Sequence, residues 1–205
     1  MSRNFTVLEK TSSENSLPPF GVQPAHDPLL RNSEYAELVQ RLFTASSVVA
    51  MIAAGTSAGA AGVCEGVATE LSHSGKRVVM VAVQELLRVS PPTPPDETTF
   101  QPGHTPQVWR WPSGASHQIE FFKPRIHASG GENWLDSLRR NFDSILLDCP
   151  GVEALPGGAA VAAQADAAVL VVEAARTSKQ QVVRDQRTLQ LSGVKLVGSV
   201  LMQRR

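Results

Sequence analysis

The sequence predicts an α/β domain built on a doubly wound, mainly parallel sheet. Continuous apolar runs, typical of strands buried on both faces of such a sheet, occur at residues 48–54, 77–83, 144–148 and 167–172. A last apolar run covers residues 196–202. Helical patterns separate these runs, and strands that alternate with helices favour a parallel sheet with right-handed crossovers.

The helices are predicted from apolar spacing and from stop signals. Ser74-Gly75 and Gly193 each end a helical pattern, as glycine commonly does after a last helical turn. The predicted helices cover residues 32–42, 63–72, 134–141, 159–164 and 179–192.

Composition divides the chain into three parts. Residues 1–30 are rich in Ser, Asn, Pro and Thr, which predicts a flexible amino-terminal tail before a domain over residues 31–205. Residues 90–131 interrupt the domain with Pro, Gly, Ser and His, and they predict an irregular insertion. Within this insertion, residues 107–111 and 119–122 are compatible with short strands.

Charge and apolar content exclude several classes of protein. The 19 Lys and Arg residues balance 19 Asp and Glu residues, so nothing indicates a nucleic-acid partner. Isolated Cys64 and Cys149 lie in apolar runs and are interpreted as buried side chains in a reducing compartment. No apolar run is long enough to span a bilayer. We expect a cytoplasmic protein that reaches the inner membrane only through a partner.

A segment of small residues follows the first apolar run and precedes a helix. It contains the candidate phosphate-loop residues Gly55, Gly59, Ala60, Ala61 and Gly62. A loop between a strand and a helix N-terminus is the place where P-loop proteins hold phosphate with backbone N–H groups. The alternative is a tight strand-to-helix turn without a ligand, which binds an anion weakly at most.

Four segments, in order, resemble one family. Residues 32–42, with Glu34-Tyr35-Ala36, look like its Glu-Ala-Tyr-Arg helix, and residues 74–78 look like the turn before its second strand. Residues 138–152, with Asp148, resemble its Walker B region, and residues 165–202 resemble its closing strand, helix and strand. The family is the cytoplasmic kinase domain of bacterial tyrosine kinases of capsule and exopolysaccharide assembly.

This resemblance covers about residues 30–205 and implies a P-loop NTPase fold of the deviant-Walker group. It implies Mg·ATP as the family's ligand, with Asp148 as the Walker B carboxylate and a metal ligand. The alternative for Asp148 is a cap on the following turn. The family's partners are a membrane polysaccharide co-polymerase and homologous kinases, and self-association uses the Glu-Ala-Tyr-Arg helix, where this chain has Glu37 instead of the first arginine.

The departures from the family's pattern affect its catalytic groups. In one register Ala60 and Ala61 occupy the positions of the P-loop lysine and hydroxyl, and in the other Ala61 and Gly62 do. The two aspartates after the second strand fall on Ala82 and Gln84. Phosphoryl transfer depends on positioning and charge neutralisation, so these losses remove the groups that catalyse it.

The sequence therefore favours a catalytically degenerate regulator or scaffold of bacterial exopolysaccharide synthesis and export, with no cofactor expected. The alternative is an active ATPase or protein tyrosine kinase of the same pathway that binds ATP and Mg²⁺ through an unusual loop. The only tyrosine, Tyr35, is interpreted as a packing residue rather than a phosphorylation site.

Overall fold

The structure, a computed structural model, describes most of the domain and one amino-terminal segment. The described residues are 3–9, 30–55, 60–88, 100–103, 105, 107–111, 133–154 and 157–204. Strands within them are β1 (Arg3–Glu9), β2 (Val48–Ala53), β3 (Val78–Ala82), β4 (Gln101–Pro102), β5 (Val108–Trp111), β6 (Ser144–Cys149), β7 (Ala167–Glu173) and β8 (Leu196–Arg204). Helices are α1 (Leu30–Phe43), α2 (Ala60–His73), α3 (Val83–Leu86), α4 (Trp134–Asn141), α5 (Gly158–Ala162) and α6 (Lys179–Leu191).

The strands form one sheet in the order β1-β8-β7-β2-β6-β3-β5-β4. The six inner strands are parallel, and β1 and β4 join the two edges in antiparallel orientation. Strand β2 lies between β6 and β7 and is fully buried, as its unbroken apolar run predicts. The doubly wound, mainly parallel α/β fold is confirmed.

One segment differs from the sequence prediction, and a second agrees with it. Residues 3–9 of the predicted tail form β1, which pairs along its whole length with residues 198–204 of β8. Backbone pairing to an exposed edge requires little apolar content, so composition alone did not reveal it. In the predicted insertion, residues 107–111 confirm the short strand as β5, which adds to the sheet beside β3. Residues 119–122 lie outside the described residues.

Apolar packing closes both faces of the sheet. On one face α1 and α2 cover alternate residues of β2, including Val49 and Met51. On the other face α4, α5 and α6 cover the residues between them, including Ala50 and Ile52. This alternation follows from the two-residue period of a strand, and it gives the domain two separate cores.

The contact between α1 and α2 depends on a glycine. A Cβ atom placed on Gly66 would lie 2.0 Å from Cζ of Tyr35, so the tyrosine ring rests directly on the backbone of α2. Tyr35 is partly buried against the core of this face. Its interpretation as a packing residue is confirmed.

The two cysteines and the length of the helices were also subjects of the sequence prediction. Cys64 and Cys149 are free and buried, as predicted, and burial raises the pKa of both thiols. No helix in the described part of the chain combines the length and the apolar content that crossing a bilayer requires.

Candidate functional site

The candidate site lies at the carboxyl ends of the parallel strands. Strands β2, β3 and β6 are neighbours, and their carboxyl ends meet at one edge of the sheet, where α/β proteins bind ligands. The loop after β2 begins at this edge. Its start is attached to the neighbouring strand β7, because Ala54 N–H donates a hydrogen bond to the Val171 carbonyl at 2.8 Å. Gly55 follows with φ +67°, a left-handed conformation that favours glycine.

The structure places only part of the predicted phosphate loop. Ala60, Ala61 and Gly62 form the first turn of α2; the Ala60 side chain is buried, Ala61 is exposed and Gly62 is partly buried. Gly59 lies outside the described residues, as do its three preceding neighbours. The role of this segment as a former phosphate loop stays a prediction.

The loop packs tightly on the segment that follows β6. A Cβ atom placed on Gly151 would lie 1.8 Å from the Gly55 carbonyl oxygen and 3.4 Å from the Ala53 carbonyl oxygen. A side chain at this position would therefore force two backbone segments apart. Gly151, which follows the predicted Walker B strand, thus allows the close approach of that strand's loop to the loop after β2.

A buried carboxylate on α6 holds the same loop from the other side. Gly55 N–H donates to Asp185 Oδ2 at 2.8 Å, and the Gln181 side-chain amide donates to Asp185 Oδ1 at 2.9 Å. Only 1% of Asp185 is exposed. Buried polar groups are costly unless they are hydrogen-bonded, and here both carboxylate oxygens have a donor. Asp185 therefore links α6 to the first residue of the loop.

Asp148 is the penultimate residue of β6, and its role as a Walker B carboxylate stays a prediction. It pairs in register with Met51 of β2 and with Ala82 of β3, so it lies between the loop strand and the second strand. Burial raises its pKa to about 6, and the nearby Glu65 carboxylate adds to this rise while Arg110 opposes it. The charge of Asp148 is therefore less favourable than that of a solvated carboxylate.

An ion pair next to Asp148 connects two further elements. The guanidinium of Arg110, on β5, donates to Glu65 Oε1, on α2. Both side chains are partly exposed, and both act electrostatically on Asp148. The positive charge that acts on Asp148 thus comes from a side chain of β5 that is already paired.

At the carboxyl ends of β6 and β3, the described residues offer a Mg²⁺ ion one carboxylate, that of Asp148. Mg²⁺ requires oxygen ligands in octahedral geometry, and it is usually held through one or two ionised carboxylates and phosphate oxygens. Asp148 offers one carboxylate with a raised pKa, and the position beside it on β3 is Ala82. Within the described ranges, no group of three His, Cys, Asp or Glu side chains is arranged to hold a metal.

Sequence reasoning missed three residues of this site. The signal for Asp185 was a charged residue on the buried side of α6, which it shares with Leu189. Arg110 was visible as a cation inside a short apolar strand between two tryptophans. Gly151 was noted only as part of the Walker B resemblance. None of these signals names a partner, since the partners belong to other elements.

Comparison with known proteins supports the fold. The chimerical protein CapA2B2 matches with a TM-score of 0.63 and 16% identity, over 85% of this chain and 83% of that chain. The BceF tyrosine kinase domain matches with a TM-score of 0.58 and 17% identity, over 84% and 74%. The kinase domain of the Escherichia coli tyrosine kinase ETK matches with a TM-score of 0.58 and 15% identity, over 83% and 73%.

No protein-family model matches the chain, and no curated protein matches it. Identities this low establish the fold rather than the activity. The four resembling sequence segments and the fold point to the same group of proteins. This chain has the fold of tyrosine kinase domains, as its resemblance to the bacterial tyrosine kinases implied.

Proposed function

We propose that this chain is a catalytically degenerate relative of the bacterial tyrosine kinases that acts as a cytosolic regulator or scaffold of exopolysaccharide synthesis and export. The observation that carries the proposal is the pairing of Asp148 with Ala82 at the carboxyl ends of β6 and β3. In the family's pattern the second strand supplies aspartates here, and this chain supplies a methyl group.

The electrostatics of the site support a loss of catalysis. Phosphoryl transfer requires cations on the phosphate oxygens and carboxylates on the metal. The segment from Ala54 to Val63 contains no lysine, and Asp148 is held in a setting that raises its pKa. Negative charge on Asp185 lies directly behind Gly55.

The fold and the family resemblance support the proposed pathway. The solved structures with this fold include the BceF and ETK tyrosine kinase domains. We propose a membrane polysaccharide co-polymerase or a homologous kinase as the partner, with self-association as a further possibility. Contact with the inner membrane would then come through that partner.

The direct test is turnover of ATP by the purified chain in the presence of Mg²⁺. We expect phosphate release at the rate of the buffer alone, for wild type and for Asp148→Ala alike. Active kinases turn over at roughly 1–100 s⁻¹, far above the detection limit of a phosphate assay.

The outcome that would overturn the proposal is turnover that Asp148→Ala abolishes. It would favour the alternative of an active ATPase or protein tyrosine kinase that uses an unusual loop. Turnover that survives Asp148→Ala and falls on further purification would instead indicate a contaminating enzyme, whereas turnover that stays constant on purification would also overturn the proposal.

A further inference from the structure

Three large apolar residues are exposed in the described part of the chain. They are Val183, 56% exposed, Leu191, 82% exposed, and Val197, 46% exposed. Two of them lie on α6 and the third lies at the start of β8. Single exposed apolar residues such as Val197 are ordinary, but Val183 and Leu191 lie on the same exposed side of one helix, and this side of α6 is the candidate binding surface.

Cations surround these apolar residues. Lys179 and Arg187 on α6 and Lys195 before β8 are exposed, and none of the three has an ion pair within the described residues. The other arginine on this helix, Arg184, pairs with Glu153 at 3.1 Å. The one acidic residue of α6 is Asp185, which is buried. The exposed side of α6 is therefore basic, although the whole chain is neutral.

Four of these residues form a single row, which we call the α6 ridge: Lys179, Val183, Arg187 and Leu191. Each residue follows the last by four positions, so the side chains lie next to one another on the helix surface. The opposite side of the helix carries Val182, Asp185 and Leu189, which face the sheet. The ridge thus alternates cation and apolar group along about 18 Å of exposed helix.

We propose that the α6 ridge docks an acidic amphipathic helix of a partner protein, in which carboxylates alternate with apolar side chains at four-residue spacing. Residues four apart form the ridges that interlock when two helices pack. Lys179 and Arg187 would pair with the partner's carboxylates, while Val183 and Leu191 would be buried between its apolar side chains. Opposite charges would also set the orientation and speed the association.

The shape of the ridge favours a helix over a membrane surface. Each four-residue step turns by about 40° around the axis, so Lys179 and Leu191 point in directions about 120° apart. A flat bilayer would contact only part of such a winding row. A second helix presents grooves between its own four-residue rows, into which Val183 and Arg187 at the centre of the ridge fit, and a bilayer presents no such grooves.

This inference deepens the scaffold role proposed above and rests on it for the existence of a partner. Catalysis plays no part in it, because the α6 ridge lies on the side of the helix that faces away from the sheet and from Gly55. ATP turnover would overturn the proposed function and leave the docking surface untouched, so the two failures are distinguishable.

The test uses a fluorescent synthetic peptide, about four helical turns long, that carries Glu and Leu alternately at four-residue spacing. Binding to the full chain is followed by anisotropy at low and at high salt. We expect saturable binding to wild type that weakens at least tenfold with Arg187→Glu and at least fivefold with Leu191→Ser, and that weakens at high salt.

Matched controls lie off the ridge. Lys76→Glu reverses an exposed cation on the turn before β3, and Val197→Ser removes an exposed apolar side chain on β8; both are expected to bind the peptide like wild type. A peptide of the same composition in scrambled order is expected to bind at least tenfold more weakly. All variants should unfold at the wild-type temperature, since each change is on the surface.

Three results would overturn the inference. One is the absence of saturable peptide binding, or equal weakening by ridge and control variants. Another is binding to vesicles of phosphatidylglycerol, but not of phosphatidylcholine, that Arg187→Glu abolishes, which would assign the ridge to a membrane. The last is concentration-dependent self-association that Leu191→Ser abolishes in sedimentation, which would assign it to a second copy of this chain.

Discussion

Asp148 is largely buried, so its ionised form lowers the stability of the folded chain. Its pKa in the folded chain is about 6, above the value of about 3.9 for an unfolded aspartate. The folded state therefore binds the proton more tightly, and this contribution to stability is complete below about pH 4 and is lost as pH rises through about 6. Burial is the main cause, and the Glu65 carboxylate adds to it.

We therefore predict that Asp148→Asn stabilises the fold at pH 7 and has a smaller effect at pH 5. The difference between wild type and variant should shrink by about 1.4 kcal/mol over this range. Urea unfolding at both pH values measures it. A difference that stays constant with pH would contradict the raised pKa of Asp148. Asp143 and Asp166, whose pKa values are lowered, titrate alike in both proteins and cancel.

Gly151 sets the spacing between two loops at the same site. We predict that Gly151→Ala costs about 1–3 kcal/mol of unfolding free energy, because the new methyl group would meet the Gly55 carbonyl oxygen. Gly158→Ala is the matched control: no atom lies within 4 Å of its added Cβ, and alanine suits a helix. Chemical denaturation measures the unfolding free energy of both variants. Equal losses would show that the close approach of Gly151 to Gly55 does not cause the destabilisation.

At the scale of elements, Asp185 links α6 to Gly55, the first residue of the loop after β2. We predict that Asp185→Ala destabilises the chain by about 1–3 kcal/mol, since Gly55 N–H and the Gln181 amide both lose their acceptor. Arg184→Ala, one position earlier on the exposed side, should change stability by less than about 0.5 kcal/mol. Thermal unfolding of the two variants side by side tests whether the buried contact matters.

The Asp185→Ala and Arg184→Ala variants also show whether the effect of Asp185 is confined to the loop after β2. Hydrogen exchange in a peptide that covers residues 54–62 should become faster in Asp185→Ala and stay unchanged in Arg184→Ala. Faster exchange over the whole domain, without a larger change in this peptide, would mean that Asp185 supports general stability rather than the loop.

The central strands were predictable because continuous apolar runs have one common explanation in an α/β domain. β2 and β7 begin at the predicted residue, and β6 differs by one residue at its end. β1 was missed, since its pairing with β8 uses backbone groups that composition does not report. Edge strands are therefore the elements that sequence patterns describe least well.

The site was predictable only where a motif runs along the chain. Gly55 and Asp148 follow from strand ends and from the resemblance, and the structure places both at the carboxyl edge. Arg110 reaches Glu65 because β5 lies beside β3 in the sheet, an order that no local pattern encodes. Asp185 likewise depends on how α6 docks. Contacts between distant elements are set by topology, and sequence periodicity does not report topology.

At the scale of the whole molecule, apolar residues cover both faces of the sheet. The first residue of the loop after β2, Gly55, is held by its contact with Gly151 and by its hydrogen bond to Asp185. A fold that is stabilised in this way can persist after its catalytic groups are lost, and its surfaces remain available for partners. The α6 ridge is one such surface.

The central claim is that this domain keeps the kinase fold without using ATP. Isothermal titration of the full chain with Mg·ATP, paired with thermal unfolding, tests it most directly, since a ligand that binds the folded chain raises its unfolding temperature. We predict no saturable binding up to about 1 mM, an affinity that corresponds to about −4 kcal/mol. Saturable binding near ~1 µM that disappears in Asp148→Ala would contradict the claim.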